Sequence, residues 1–340
     1  MSSRDYDESD VRIRPGRRGT RPRTKRRPDH ADATSAMVVA VDRGRWTCVP
    51  DEDQTLRVTA MRARELGRTP IVVGDRVGLV GELAGGPDAL ARIVRVDDRT
   101  SVLRRTADDT DPYERIVVAN ADQLVIVTAL ADPVPSVGFV DRALVAAYAG
   151  GLRPLLCLTK ADLALARGGP DPSEVAAEWT ELDLRVVVTR FDQPPDQLRA
   201  ELAGTISAFI GHSGVGKSTL VNALVPDAER AVGRVSGVGK GRHTSSSAVA
   251  LPLAGPGGWV VDTPGVRSFG LAHVTASDVV SAFGDLANAI EDCPRGCGHL
   301  GPPADPECAL DQLERNGTLQ PERLAALRRV LVALSAPSWQ

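Results

Sequence analysis

The chain has 340 residues, a formal net charge of -3, and 42% hydrophobic and 25% charged residues, enough for two or three domains that each bury a core. That balance excludes a chain disordered throughout, and no apolar run approaches the ~20 residues of a membrane span. The five cysteines, at positions 48, 157, 293, 297 and 308, are odd in number and do not read as a disulfide framework; with no secretory apolar core near the start, a soluble, cytoplasmic protein is expected.

Residues 1–36 are polar and basic, with Arg12, Arg14, Arg17, Arg18, Arg21, Arg23, Lys25, Arg26 and Arg27 broken by Pro15, Pro22 and Pro28. Such a segment cannot bury enough to offset its chain entropy, so a disordered tail is expected. A polycation of this kind suits a phosphate backbone, and it serves equally as a solvated solubility tail. From residue 37 to about 98 short alternating runs (Met37–Val41, Trp46–Val49, Leu56–Ala60, Asp75–Val80, Ala91–Val96) are separated by turns. Five short strands at this spacing predict a small all-β barrel of the OB type, with Arg57, Arg62, Arg64 and Arg68 adding positive charge near one loop. A barrel alone is compatible with RNA contact, protein docking or a structural role.

After a polar hinge at Asp97–Asp111 the period changes. Gln123–Thr128, Pro154–Leu158, Arg185–Thr189, Ile206–Ile210, Val249–Leu253 and Trp259–Val261 read as buried strands, and Val137–Gly150 as an amphipathic helix. This alternation predicts an α/β domain over 99–274 with a parallel sheet covered by helices on both faces. Cys48 and Cys157 fall within apolar, strand-like runs and read as core.

Gly211-His212-Ser213-Gly214-Val215-Gly216-Lys217-Ser218 is a complete G-x-x-x-x-G-K-[ST] phosphate loop, between an apolar strand and a helix opened by Thr219. Gly211 and Gly216 let the backbone approach an anion, successive N–H groups form the cradle, Lys217 reaches the β- and γ-phosphates, and the Ser218 hydroxyl ligates Mg²⁺. Thr159-Lys160-Ala161-Asp162 ends another strand as a [NT]-K-x-D loop. The Asp162 carboxylate accepts from guanine N1–H and the 2-amino group while Lys160 lies across the base, which selects GTP over ATP. Thr159 stands where Asn is commoner, so one amide contact is expected to be weakened. Asp262-Thr263-Pro264-Gly265 is a D-x-x-G turn: Asp262 holds Mg²⁺ through water and Gly265 offers its N–H to the γ-phosphate. Between the two, the hydroxyl-rich Gly239–Ser247 reads as a switch whose Thr244 completes the Mg²⁺ shell.

The order of these parts is rearranged, because the base-reading loop precedes the phosphate loop. A circular permutation explains it, and it ties the chain beyond Gly265 to a segment that moves on hydrolysis. That C-terminal region, 275–340, contains Cys293, Cys297, His299 and Cys308, three thiols and one imidazole within sixteen positions. This pattern predicts one structural, four-ligand zinc ion per chain. Ala309–Asn316 and Pro321–Leu334 read as helices, the second with a packing stripe of Leu324, Leu327, Val330, Leu331 and Leu334.

With Val118-Ala119-Asn120-Ala121-Asp122-Gln123, Gly241-Arg242-His243-Thr244 and Asp262-Thr263-Pro264-Gly265-Val266-Arg267, residues 37–335 resemble the RsgA (YjeQ) family of ribosome small-subunit-dependent GTPases. The resemblance implies an OB-fold and a zinc module that grip the 30S subunit and its 16S rRNA, GTP hydrolysis to GDP stimulated by that subunit, and a role late in 30S maturation with release after hydrolysis; a monomer is expected, although the sequence itself does not give the oligomeric state. The resemblance also implies that His243 orients the attacking water, since Val266, at the place many GTPases reserve for Gln, cannot hydrogen-bond. The metal motif here is C-x3-C-x-H-x8-C against a family pattern resembling C-x4-C-x-H-x5-C, which leaves Cys308 the least secure ligand. Thr189-Arg190-Phe191 stands where the family has its guanine-supporting S-A loop, and the sequence names no contact for it. A binding checkpoint in which hydrolysis is incidental is the competing function.

Overall fold

The computed structural model describes residues 30–84, 89–106, 115–133, 135–180, 184–225, 248–255, 257–263, 269, 271, 274–283, 286 and 288–335. The basic stretch 1–29, the segment with His243 and Thr244, and Gly265 lie outside the described residues, and the expectations for tail and switch lie there with them.

Five strands, β1 (Thr34–Asp42), β2 (Arg45–Pro50), β3 (Val58–Arg62), β4 (Arg76–Gly81) and β5 (Ala91–Val96), form the first unit. They run β1-β2-β3-β5-β4, and a β1–β4 pairing closes the ring. β3 and β5 are parallel while the other pairs are antiparallel, an OB-type barrel whose closure leaves no open edge. Alternation sends Val38, Cys48, Val58, Leu79 and Ile93 inward to a core of their own. β1 starts at Thr34, inside the stretch read as tail, because Thr34 and Ser35 pair with Leu79 and Gly78.

The stretch read as a polar hinge contains a strand, β6 (Val102–Arg105), which pairs antiparallel with β7 (Arg115–Ala119). Its apolar signal is short, but Leu103 is fully buried. The second sheet comprises β8 (Gln123–Ala129), β9 (Arg153–Thr159), β10 (Arg185–Val188), β11 (Ile206–Ile210), β12 (Val249–Pro252) and β13 (Trp259–Asp262), in the order β10-β9-β8-β11-β13-β12. The first five of that order are parallel; β12 is antiparallel to β13. The wholly parallel sheet expected from the sequence is thus corrected at its edge: the β12–β13 link is too short for a parallel crossover, which takes a dozen or more residues. β12 also pairs with β1, Ala40 opposite Val249, so barrel and sheet join into one 11-stranded array.

Helix α1 (Val137–Ala149) crosses from β8 to β9 and buries Phe139, Val140, Ala143, Leu144 and Ala147 at helical spacing. α2 (Ala161–Ala166) and α3 (Pro172–Thr180) lead to β10, α4 (Asp196–Leu202) leads to β11, and α5 (Lys217–Leu224) leaves the phosphate loop. The C-terminal part comprises α6 (Ala276–Ala282), opened by a Thr275/Asp278 capping box, then α7 (Ala309–Arg315) and α8 (Pro321–Ser335). α8 buries Leu324, Leu327, Val330 and Leu331 in the same core as the α/β sheet. Arg329 fixes it, with Nε donating to Asp141 Oδ1 of α1 at 2.7 Å and the guanidinium 4.5 Å from the Trp179 ring. No helix among the described residues is long and apolar enough to cross a membrane.

The barrel meets the α/β unit at a polar seam. Fully buried Asp75 accepts from Arg99 Nε at 2.7 Å, Arg99 Nη2 at 2.8 Å and Val72 N–H at 2.7 Å. Asn120, in the left-handed region at φ 54°, accepts from Thr100 N–H at 2.9 Å and donates to the Gly74 carbonyl at 3.0 Å. Gly74 has φ 90°, and any Cβ there would strike the Ala119 carbonyl oxygen, so only glycine permits the approach. Removing Asp75 strands a mostly buried guanidinium, so Asp75→Ala is expected to cost about 3–5 kcal/mol, read as a lowered midpoint in urea denaturation.

Candidate nucleotide site and metal centre

In a parallel sheet, ligands sit beyond the carboxyl ends of the strands. The three predicted loops gather there: Thr159–Asp162 after β9, Gly211–Ser218 after β11 and Asp262 at the end of β13, with β8 between β9 and β11. Gly214 and Gly216 have φ 83° and 94°, the left-handed turns that aim successive N–H groups at one point. Lys217, Ser218 and Thr219 open α5, whose free N-terminal amides face the same point. His212 turns the other way, its ring 4.3 Å from that of Phe139 on α1. It can serve the cradle through its backbone, and its side chain packs.

Thr159 is fully buried, and its hydroxyl donates to the Val215 carbonyl at 2.5 Å, with the Thr128 carbonyl at 3.3 Å. The residue expected to weaken a contact therefore ties the base-reading loop to the phosphate loop. Lys160 sits at φ 59°, and its ammonium donates to the Asp132 carbonyl, which holds its stem along the base-reading side. Asp162 Oδ1 accepts from Phe191 N–H at 3.3 Å, so the degenerate S-A position does reach the site, through a backbone donor that no side-chain pattern advertises. Arg190 braces this turn by a two-bonded pair with Asp192 at 2.8 and 2.7 Å.

Lys217 Nζ is paired with the Asp262 carboxylate and also donates to the Thr263 carbonyl at 3.3 Å. Thr263, buried, donates its hydroxyl to the Phe209 carbonyl at 2.5 Å. The Lys217 ammonium thus occupies Asp262; once released, that carboxylate, with the Ser218 hydroxyl at the start of α5, is the kind of donor that could hold a Mg²⁺ that keeps several waters. Changing Thr159 to Val leaves a buried carbonyl without its donor and is expected to cost about 1–3 kcal/mol. The expected readout is a Thr159→Val protein that melts lower and binds GDP several-fold more weakly, in calorimetry.

The metal cluster is assembled from a loop and a helix start. Ligand atoms of Cys293, Cys297, His299 and Cys308 all lie within 4.8 Å of one another. Cys293 Sγ is 3.5 Å from His299 Nδ1 and 4.0 Å from Cys308 Sγ, and Cys308 Sγ is 3.9 Å from the same nitrogen. Zn–S bonds of ~2.3 Å in a tetrahedron put sulfurs about 3.8 Å apart, so the donor set fits zinc. Backbone N–H groups of His299 and Ala309 point at Cys297 and Cys293 sulfurs, each at 3.4 Å. Burial lowers the His299 pKa and raises those of Cys297 and Cys308; the imidazole is a neutral donor, and the thiols must release protons to a metal.

Two residues that carry no motif, Asp305 and Arg328, complete this centre. Asp305 accepts from Gly298 N–H at 3.0 Å and Leu300 N–H at 2.9 Å, bonds that hold its carboxyl below the usual range. They fold the long segment before Cys308 back onto the cluster. Arg328 of α8 donates to the His299 carbonyl at 3.2 Å and pairs with Asp311 at 2.7 Å. Cys48 and Cys157, by contrast, are buried thiols whose pKa values are pushed up to about 12 by desolvation, in keeping with inert core residues. Elemental analysis is expected to find one zinc per chain, lost in Cys297→Ser; Asp305→Ala should keep the ion yet release it faster to a chelator.

Of the barrel arginines, Arg57 lies 5.8 Å over the Trp259 ring of β13, and Arg62 lies 6.0 Å over Trp46 and donates to the Thr69 carbonyl. Arg64 and Arg68 are exposed.

A phosphate loop on β11 with its base-reading loop earlier in the chain on β9, and the D-x-x-G strand later, defines a circularly permuted GTPase. The chain belongs to the RsgA GTPase family, whose profile matches residues 96–272. It is 36% identical over 296 residues to the small ribosomal subunit biogenesis GTPase RsgA of Azotobacter vinelandii, covering 86% of this chain and 83% of that protein. The protein of the same description from Pseudomonas aeruginosa is 39% identical over 268 residues, 78% of this chain and 76% of its own length. Among solved structures, YjeQ from Thermotoga maritima superposes with a TM-score of 0.60 at 25% identity, over 88% of this chain and 98% of that one. YloQ, described as a circularly permuted GTPase, superposes at 0.61 over 90% and 96%; at 20% identity it speaks for the fold alone. The chain is a GTPase, and its nucleotides are GTP and GDP.

Proposed function

We propose that this GTPase acts on the 30S ribosomal subunit late in its maturation, docking on 16S rRNA through barrel and zinc module as a cytoplasmic monomer and leaving after hydrolysis. The observation that carries the nucleotide part of the reading is the joint cradle, in which the Thr159 hydroxyl ties the base-reading loop to the phosphate loop at the Val215 carbonyl. The names of the relatives support the ribosomal assignment. In this reading the chain divides into a basic tail (1–36), the barrel (37–98), the GTPase unit (99–274) and the zinc module (275–340).

Within the site, Asp162 reads the guanine edge, Lys160 covers the base, and the amides from Gly211 through Ser213, Gly214, Val215, Gly216 and Ser218 to Thr219 hold the phosphates. Lys217 exchanges Asp262 for the β- and γ-phosphates, which frees the carboxylate to act as a metal ligand. Ser218, Thr244 and Asp262 would hold Mg²⁺, which when bound neutralises charge on the phosphate oxygens. Gly265 N–H meets the γ-phosphate, and His243 orients the water for in-line attack once the subunit fixes its loop.

GTP turnover measured with and without purified 30S subunits tests the whole reading, with marked stimulation expected and equal rates refuting the partner. Lys217→Ala is expected to lose roughly 10²-fold or more of turnover. At saturating subunit His243→Ala should fall about 10²-fold, and an unchanged rate would remove it from the chemistry.

A further inference from the structure

Phe191 stands out once the cradle is assigned. Six large hydrophobic residues are exposed among the described residues, and Phe191, at 45%, is the one aromatic in that set. It sits beyond the carboxyl end of β10, at the nucleotide edge of the sheet. Its backbone N–H reaches the Asp162 carboxylate at 3.3 Å. Its ring leans the other way, toward the phosphate loop: a Cβ placed on Gly216 would lie 2.6 Å from Cζ and 3.3 Å from Cε1 of Phe191, and 3.7 Å from Thr159 Oγ1. The ring therefore occupies the span between the carboxylate that reads the base and the loop that holds the phosphates. A nucleoside must cross that span.

We infer that the Phe191 ring is a stacking wall of the base pocket, supplying affinity for the purine face while Asp162 supplies discrimination at its edge. The inference rests on the guanine-nucleotide reading of the site. Stacking on an aromatic face is indifferent to the base's hydrogen-bonding edge, whereas a carboxylate is not. The two residues thus divide the work of recognition: the ring holds GTP and GDP equally well, and the carboxylate rejects what lacks the donors. Because the stacked base does not change during phosphoryl transfer, the ring's contribution is uniform binding, which lowers KM without altering kcat. The turn is braced by the Arg190–Asp192 pair. Gly216, bare of a side chain, is what lets the ring lie this close to the loop, and stacking requires the ring to turn from there onto the base.

The test uses the full chain and its Phe191→Ala and Phe191→Trp variants, titrated calorimetrically with GDP, GTP, IDP and ADP. Phe191→Ala is expected to weaken GDP and GTP alike by roughly 5- to 150-fold. The GDP-to-IDP ratio and kcat at saturating GTP should stay at parental values while KM rises. Phe191→Trp should restore affinity and show indole quenching on GDP addition. Unchanged or tighter binding by Phe191→Ala would overturn the inference, as a bystander or an obstructing ring would give those results. So would a shifted GDP-to-IDP ratio, which would mean that the residue acts by positioning Asp162. A parent that prefers ADP as much as GDP refutes the guanine reading instead, and the ring is then judged on ADP by the same criterion. An unaltered melting temperature without nucleotide is expected for so exposed a side chain; a lowered one, with nucleotide affinity kept, counts against the wall.

Discussion

A hydroxyl and a carbonyl set the geometry of this protein's site. A phosphate-binding turn must aim its N–H groups inward, which sends carbonyls toward the protein, where each needs a donor. The Val215 carbonyl finds one in the Thr159 hydroxyl, at 2.5 Å, on a residue out of contact with water. Through that bond the loop after β11 and the loop after β9 are spaced across β8 at a fixed distance, and a molecule with a base at one end and phosphates at the other must match it. Because the distance belongs to the sheet edge and not to the chain order, the permuted connectivity leaves it intact.

Around this cradle, the elements that would report its state are wired by specific contacts. β13, which carries Asp262, pairs with β12, and β12 with barrel strand β1; Arg57 of the barrel covers Trp259 on the same β13. On the other side Phe139 of α1 touches both His212 in the phosphate loop and Phe269 just past the D-x-x-G turn, the latter with ring centres 5.7 Å apart. α1 in turn holds α8 through Asp141 and Arg329, and α8 holds the cysteine–histidine loop through Arg328 and the His299 carbonyl. Packed side chains thus run from the elements of the cradle to both flanking units.

Much of this is legible in the chain. The phosphate loop, the T-K-x-D loop and the D-x-x-G turn each announce themselves by residue type, because the chemistry of phosphate, guanine and Mg²⁺ tolerates few substitutes. The barrel strands show in their alternation and the α8 stripe in its helical spacing. The features that stay hidden are of another kind. β6 hides in a polar stretch because its two apolar residues are too few to mark a period, and β12 looks like one more parallel strand unless the shortness of its link to β13 is weighed. Thr159 looks like a loss when judged against Asn, since its partner lies 56 residues away. The motif Val118–Gln123 serves as a badge of resemblance, yet Asn120 is there to pin the seam at Gly74 and Thr100, and Gln123 donates to Ser207 at 2.9 Å and to the Glu201 carbonyl at 3.1 Å.

By itself the sequence determined the kind of chemistry: a guanine nucleotide, and in what altered order the parts that handle it occur, since these depend on the functional groups a short segment carries. The tertiary structure alone decided who stands next to whom. It put Asp305 behind the Cys₃His cluster, Arg99 on Asp75, Phe191 between base loop and phosphate loop, and Lys217 on Asp262, because a pairing between distant segments is fixed by how sheets and helices pack and is encoded at neither partner's position.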